Sequence, residues 1–266
     1  MADVCVNLFM IDECHCVTEW GYTFRDAYLQ IGDFIDSLPQ RPVVCACSAT
    51  IPDDRRDEII GLLRLENPNV YRSDLSRRNL VLLKKDVTSD KKSLEKRLEE
   101  RFDLLDKYIK KYHTDGSVVI YALTVGYVDA IYNYLNEQYS GQVACYHAQM
   151  KPESRRHKME LEFLQGKRKI VIATSAFGMG IDVPDIELVI HFNTPVSLVD
   201  YIQQIGRGGR DQQIRAHCVL FYDDNGDDDK IVRSFEKRAA PKEAAEVIAD
   251  NYMEIRAFID SKNCMV

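Results

Sequence analysis

Five stretches of this 266-residue chain carry side chains suited to chemistry. Asp12-Glu13-Cys14-His15 directly follows the apolar run Asn7–Ile11. Strand C-terminal ends are where α/β sheets place ligand chemistry. A carboxylate for a divalent cation beside a second acid to orient water suits phosphoryl transfer. A solvent-facing Asp-Glu at a strand end is the plain alternative. Ser48-Ala49-Thr50 follows a second apolar run; its hydroxyls could bond the acidic pair and relay its state, or simply cap the next helix. In Ala173–Asp182, glycines permit close backbone approach, and Thr174, Ser175 and exposed amides suit phosphate oxygens. In Gln203-Gln204-Ile205-Gly206-Arg207-Gly208-Gly209-Arg210-Asp211, Arg207 and Arg210 stand three apart among glycines, able to neutralise charge on a transferring phosphoryl group or to form a basic turn. Trp20-Gly21-Tyr22-Thr23-Phe24-Arg25 interleaves aromatics with arginine, the means of stacking unpaired bases; core packing would use the same residues.

Alternating strands and helices must hold these stretches. Strands are expected at Asn7–Ile11, Pro42–Cys47, Asn79–Lys84, Ser117–Tyr121, Val143–Tyr146, Lys169–Ala173, Leu188–Phe192 and Ala216–Tyr222. Helices are expected at Phe24–Leu38, Pro52–Leu65, Lys91–Tyr112, Val125–Tyr139, Pro152–Leu164, Leu198–Ile205 and Pro241–Asp260. The long helix places Leu94, Leu98, Phe102, Leu105, Ile109 and Tyr112 at three- and four-residue steps, with its charges read as a solvated face. Asp223–Lys230 reads as an exposed acidic loop. The alternation argues for parallel α/β sheets covered on both faces. A polar boundary at Tyr71–Ser76 divides a short first block from a second that is large enough to stand alone.

The chain is 45% apolar and 29% charged, which excludes a disordered chain, a collagen and a small disulfide scaffold. No apolar run approaches the ~18 residues of a membrane span, and no signal peptide is evident at Met1, so a soluble intracellular protein is expected. The net charge of −7 means that any nucleic-acid site must be local. The eight cysteines fall mostly in apolar stretches and read as reduced, buried thiols. Cys14-His15-Cys16 has no second Cys/His pair at finger spacing, which argues against zinc there.

The order of the acidic box, aromatic loop, Ser-Ala-Thr, glycine-rich loop and Gly-Arg-Gly-Gly-Arg-Asp resembles motifs II, III, V and VI of superfamily 2 helicases. Asp12-Glu13-Cys14-His15-Cys16, Trp20-Gly21, Phe24-Arg25, Tyr28, Tyr146-His147-Ala148, and Ala176–Asp182 with Pro184-Asp185 resemble the RecQ family over nearly the whole chain. The resemblance implies a 3′-to-5′ DNA helicase in repair and recombination, using ATP and Mg²⁺, cytoplasmic in a bacterium or nuclear in a eukaryote. By position, it implies that Asp12 binds Mg²⁺ and Glu13 orients water. His15, Ser48 and Thr50 would couple the ATP and DNA sites. Trp20, Phe24, Arg25, Thr174 and Ser175 would meet DNA, single-stranded or at duplex junctions. Gly180, Asp182, Gln203, Arg207 and Arg210 would face nucleotide, with Arg210 as the finger. Residues 1–75 are then expected to be the back of an incomplete first RecA-like domain, 76–240 a complete second one, and 241–266 the helical start of a zinc region. Cys264 resembles that region's first ligand, and its remaining ligands are not in the chain.

The family also implies a Gly-x-x-x-x-Gly-Lys-Ser/Thr loop, whose amides and lysine cradle the phosphates. No such run occurs here; Gly166-Lys167 is followed by Arg168. Further departures are Glu19, Tyr22 and Asp26 in the aromatic loop, and Gly208 and Gln212 beside the arginines. The expectation is therefore the middle of a helicase, inactive alone; the alternative is a catalytically silent nucleic-acid-binding or scaffold module of helicase descent.

Overall fold

Apolar, β-branched runs of four to seven residues become parallel strands, and the amphipathic segments between them become crossover helices. A computed structural model describes residues 5–19, 26–49, 51, 55–73, 76–175, 177, 183–239 and 242–261. The chain divides into two compact units: Met1–Leu75 with Ser234–Asp250, and Ser76–Arg233 with Asn251–Val266. Residues 234–250, expected to split between a second domain and a third, group with the first unit.

In the first unit, β1 (Leu8–Ile11) pairs in parallel with β2 (Val43–Ala46), Ile11 lying opposite Ala46. Helices α1 (Cys16–Glu19), α2 (Asp26–Leu29), α3 (Ile31–Ser37) and α4 (Arg56–Leu62) accompany them. The expected helix Phe24–Leu38 is thus interrupted at Gln30, between α2 and α3. Gly32 explains the close seating of α3: a Cβ there would lie 2.4 Å from the Leu62 carbonyl oxygen. The core is small, built on Ile11, Cys14, Val17, Ile35, Ile59 and Leu63, while Leu8, Met10 and Val43 remain exposed on the strands.

The second unit opens with β3 (Leu80–Asp86) and α5 (Leu94–Tyr112). It continues through β4 (Ser117–Tyr121), α6 (Val125–Gln138), β5 (Val143–Tyr146), α7 (Glu153–Leu164) and β6 (Ile170–Ala173). It closes with β7 (Ile186–His191), α8 (Leu198–Ile205), β8 (Ala216–Tyr222), α9 (Asp227–Glu236) up to Arg233, and the last turns of α10 (Lys242–Asp260). The six strands form one all-parallel sheet in the order β3-β8-β7-β4-β6-β5. All of β4 and β6 is buried, as strands covered on both faces require. Lys84 on the edge strand β3 donates to the carbonyls of Ile259 and Ser261 at 2.6 and 2.8 Å, satisfying the C-terminal end of α10.

The structure corrects two expectations. The acidic stretch 223–230 is not an exposed loop: it enters α9, and Asp223 and Asp228 are buried. Nor is the charge of α5 all solvated, because Arg101 is buried and donates to Asp223 at 2.9 Å, Asp228 at 3.2 Å and the Phe192 carbonyl at 3.2 Å. Arg97 holds Asp227 through two bonds of 2.7 and 2.9 Å. Buried carboxylates are tolerated only with such partners. Among the strand cysteines, Cys145 and Cys218 are buried as expected, Cys47 is half-buried, and Cys5 and Cys45 are exposed, Cys45 because one face of the β1–β2 pair is uncovered; Cys14 and Cys16 are buried too.

Candidate functional site

Parallel pairing sets the first cluster. With Ile11 opposite Ala46, the residues leaving β1 and β2 emerge side by side. Backbone bonds fix the exit: Cys47 N–H donates to the Ile11 carbonyl at 2.9 Å, and Cys14 N–H to the Cys47 carbonyl at 3.0 Å. Asp12 and Glu13 are exposed. Asp12 Oδ1 accepts the Glu13 N–H at 2.9 Å and the Cys47 thiol at 3.4 Å. Glu13 sits at φ 51°, a left-handed turn that reverses the chain into α1. Such a conformation costs a non-glycine residue about 1–2 kcal/mol, and the Asp12 bond to its amide helps to hold it.

His15 joins the acidic pair to the second motif. Its ring is buried, with Nδ1 2.7 Å from Ser48 Oγ and 3.3 Å from Glu13 Oε2. Burial holds the imidazole below its ordinary pKa, with the charge of Asp12 pulling the other way. Glu13, His15 and Ser48 therefore form one contiguous polar chain. The Cys14 thiol is pushed up to about 11 by burial and by Cys47, so it stays protonated. Among the described residues no three His, Cys, Asp or Glu side chains group as metal ligands.

The second cluster stands at the C-terminal edge of the six-stranded sheet. Tyr121, the last residue of β4, is in register with Ala173 on β6 and His191 on β7. Thr174 and Ser175 leave β6 there, Thr174 half-buried and Ser175 exposed. The Phe177 N–H donates to the Thr174 carbonyl at 3.0 Å, and the buried Phe177 ring packs on Tyr146 and Phe163. Helix α8 is capped by Ser197, whose Oγ accepts the Asp200 N–H at 3.0 Å. Its apolar face carries Val199, Tyr201 and Ile205 into the core. Gln203 and Arg207 are half-buried, and Arg210 is exposed.

The glycines after α8 shape the arginine turn. Gly209, at φ 54°, donates its N–H to the Ile186 carbonyl at 2.8 Å. Its carbonyl accepts from Asn79 Nδ2 at 2.8 Å and from Arg77 Nη2. Gly208 offers its own carbonyl to Arg77 at 3.0 Å. The Tyr121 hydroxyl donates to the Phe177 carbonyl at 3.3 Å. Burial pushes the Tyr121 phenol up to about 12, opposed by the nearby charges of Arg207 and Arg210.

Sequence reasoning misses several members of these clusters. It reads Cys47 only as a buried strand cysteine, and Arg77 and Asn79 as nothing in particular. His191 and Gln204 form a buried pair, Nε2 to Oε1 at 2.8 Å. Burial lowers the His191 pKa to about 4, so this imidazole is neutral. A glutamine on the apolar face of α8 is the signal that could have found it. Trp20, Phe24, Arg25, Thr50, Gly180, Asp182 and Cys264 lie outside the described residues. Asp12, Glu13, His15 and Ser48 come together in the first unit; Thr174, Ser175, Gln203, Arg207 and Arg210 belong to the second.

Comparison with known proteins places the chain in a family. The family described as Helicase conserved C-terminal domain matches residues 100–212. The "ATP-dependent DNA helicase hus2/rqh1" of Schizosaccharomyces pombe is 34% identical over 88% of this chain and 17% of its own length. The "ATP-dependent DNA helicase RecQ" of Pasteurella multocida is 32% identical over 97% of this chain and 38% of its own length. Among solved structures, S. cerevisiae Dbp5 L327V bound to RNA and ADP BeF3 superimposes with a TM-score of 0.65 at 19% identity, covering 94% of this chain and 63% of that one. That likeness shows a shared RecA-like fold. The chain thus spans less than two-fifths of the length of either helicase relative. By its motifs, their order and these relatives, the chain belongs to the RecQ family of superfamily 2 helicases.

Proposed function

We propose that this chain supplies part of an ATP-dependent 3′-to-5′ DNA helicase of the RecQ type, serving DNA repair and recombination. In this reading residues 1–75 are the C-terminal part of a first RecA-like domain, residues 76–240 a second, and residues 241–266 the start of the zinc-binding region. The observation that carries it is the Glu13–His15–Ser48 contact chain. It ties a water-orienting acid to the Ser-Ala-Thr segment, as coupling between hydrolysis and strand binding needs.

The residues present fit Mg²⁺: Asp12 is an exposed carboxylate whose two hydrogen-bond donors both engage Oδ1, and hard cations take oxygen ligands. When bound with ATP, the ion would neutralise phosphate charge. Glu13 would orient the attacking water. Gln203, Arg207 and Arg210, with Gly180 and Asp182, would face the nucleotide, Arg210 as the finger. Thr174 and Ser175, with Trp20, Phe24 and Arg25, would contact the single strand, and Thr50 would act beside Ser48 in coupling. No Gly-x-x-x-x-Gly-Lys-Ser/Thr run occurs in the sequence. This favours a second reading for the chain by itself: strand binding without turnover. No helix among the described residues is long and apolar enough to cross a membrane. A nuclear or bacterial cytoplasmic site accords with the DNA helicase relatives.

The test compares ATP hydrolysis by the chain alone with hydrolysis after addition of a RecQ segment bearing that loop, each with and without single-stranded DNA. The expected result is negligible turnover alone and DNA-stimulated turnover on complementation, lost in Glu13→Gln and Arg210→Ala. Turnover by the chain alone, or complemented turnover indifferent to both substitutions, overturns the proposal.

A further inference from the structure

Between Arg207 and Arg210 stand Gly208 and Gly209, which have no side chains to fix their peptide groups. The direction in which each arginine leaves the turn depends on what holds the main chain between them. Two half-buried side chains just ahead of β3, Arg77 and Asn79, do so. They reach the turn because β3 pairs with β8: the Asn79 carbonyl accepts the Ala216 N–H at 2.9 Å, next to the register pair Leu80–Ala216. Arg77 Nη2 donates to the Gly208 carbonyl at 3.0 Å and also to the Gly209 carbonyl. Asn79 Nδ2 donates to the Gly209 carbonyl at 2.8 Å and to the Ile214 carbonyl at 2.9 Å. Both lone pairs of the Gly209 oxygen are thus taken, and one amide nitrogen joins the middle of the turn to its end. Arg77 Nε donates to Asn79 Oδ1 at 3.4 Å, linking the two side chains. The Gly209 N–H donates in turn to the Ile186 carbonyl at 2.8 Å, so this glycine is anchored through both of its backbone groups.

We propose that Arg77 and Asn79 are positioning residues that clamp the Gly208–Gly209 main chain and so set the directions in which Arg207 and Arg210 leave the turn. The inference rests on the proposed helicase function only for its consequence, the presentation of both guanidinium groups to phosphate; the clamp itself is a property of the second unit. A glycine pair left unheld would sample many backbone states, and ordering it would oppose the engagement of an anion. With the clamp in place that ordering is complete before any ligand arrives.

The experiment uses the whole chain, labelled with carbonyl-¹³C glycine and ¹⁵N arginine. Gly206-Arg207 and Gly209-Arg210 are the two Gly-Arg steps in the sequence, so a carbonyl–amide correlation shows two signals, and Arg210→Lys identifies that of Gly209. Arg77→Met keeps the stem and removes the donors; Asn79→Asp keeps the shape and replaces the donor nitrogen by oxygen. In each variant the Gly209 carbonyl signal should move upfield, as loss of a hydrogen bond to it requires, while that of Gly206, to which neither side chain is bonded, stays. Amide hydrogen exchange across residues 206–214 should quicken about five- to tenfold, as loss of one hydrogen bond implies, with no change within β7. In the complemented hydrolysis assay kcat should fall by a similar factor with KM for ATP unchanged, the pattern of an interaction realised in the transition state. An unmoved Gly209 signal in both variants, exchange that quickens equally in β7 and the turn, or complemented turnover that Arg210→Ala abolishes and neither variant slows, overturns the proposal. If the Gly209 signal and the exchange respond as expected while complemented turnover is absent or indifferent to Arg210→Ala, the helicase reading fails and the clamp stands.

Discussion

Replacing Arg101 by methionine should leave two buried carboxylates without their cationic partner. Arg101 lies beneath the end of β7, bonded to Asp223, Asp228 and the Phe192 carbonyl, and methionine preserves much of the stem's packing. Asp228 would keep Asn193 Nδ2 at 2.7 Å and the Thr194 N–H at 2.8 Å, and Asp223 would keep the Asp227 N–H at 3.2 Å. None of these supplies a positive charge. Removing one member of a buried charged network costs about 3–5 kcal/mol, out of a stability of roughly 5–15 kcal/mol for a domain. With a urea slope near 2 kcal/mol/M, the unfolding midpoint of the second unit should fall by about 2 M.

The sign of the pH dependence identifies the cause. Burial raises the Asp228 pKa, the charge of Arg101 opposing it. Without Arg101 it rises further. A carboxyl whose folded pKa lies above its unfolded value contributes stability that is full below the unfolded pKa and is lost as pH rises through the folded one. The penalty of Arg101→Met should therefore be larger at pH 8 than at pH 5, and adding Asp228→Asn should recover part of it. Urea unfolding followed by circular dichroism at both pH values is the assay. A penalty below about 1 kcal/mol, or one equal at the two pH values, would refute the reasoning from unpaired charge and leave only packing.

Three further outcomes are expected. Gly209→Ala should destabilise the second unit by about 1–3 kcal/mol, because the residue sits at φ 54° and a Cβ would lie 2.5 Å from Asn79 Nδ2; a melting temperature within 1 °C of the parent's would contradict this. Glu187 accepts from His113, from the Thr114 amide and hydroxyl and from the Gly116 amide, bonds that outweigh burial and hold its pKa low. Its stabilisation should be present above the unfolded pKa and vanish as pH falls through the folded one, so Glu187→Gln should lose about 1–3 kcal/mol at pH 7 and flatten the acid limb of a stability–pH curve. Limited proteolysis at pH 7.5 should nick residues 5–73 before 76–233, given the smaller core and exposed strand face of the first unit. At pH 5.5 the nicking should accelerate, because His15 has a folded pKa below its unfolded value and opposes folding as it charges; first cleavage in the second unit would count against this.

What the sequence discloses depends on the range over which its signals act. The span of α8 and that of β8 are legible to the residue, because a Ser cap, an apolar stripe and a short apolar run are local features. The motif order names candidate site residues for the same reason, and the Asp12–Ser48 neighbourhood follows once β1 and β2 are parallel. Arg101 and Asp228 are misread because a charge on a helix looks the same whether it meets water or a carboxylate more than a hundred residues away. The Tyr121 hydroxyl is invisible for a related reason: its partner, the Phe177 carbonyl, lies 56 residues away and comes near only through strand order. Gln30, where the helix from Phe24 is expected to continue, carries no breaker, and only the approach of Gly32 to the end of α4 shows how tightly that segment is seated.

The strand order carries a consequence for biosynthesis. β3 is the first strand of its sheet to leave the ribosome, and its sole neighbour there among the described residues, β8, is the last. At about 5–20 residues per second, Leu80 waits roughly 7–30 s for Ala216 to be translated. Throughout that interval the Leu-Val-Leu-Leu edge is an open template for other nascent chains, and holding it falls to chaperones or to the pace of the codons between.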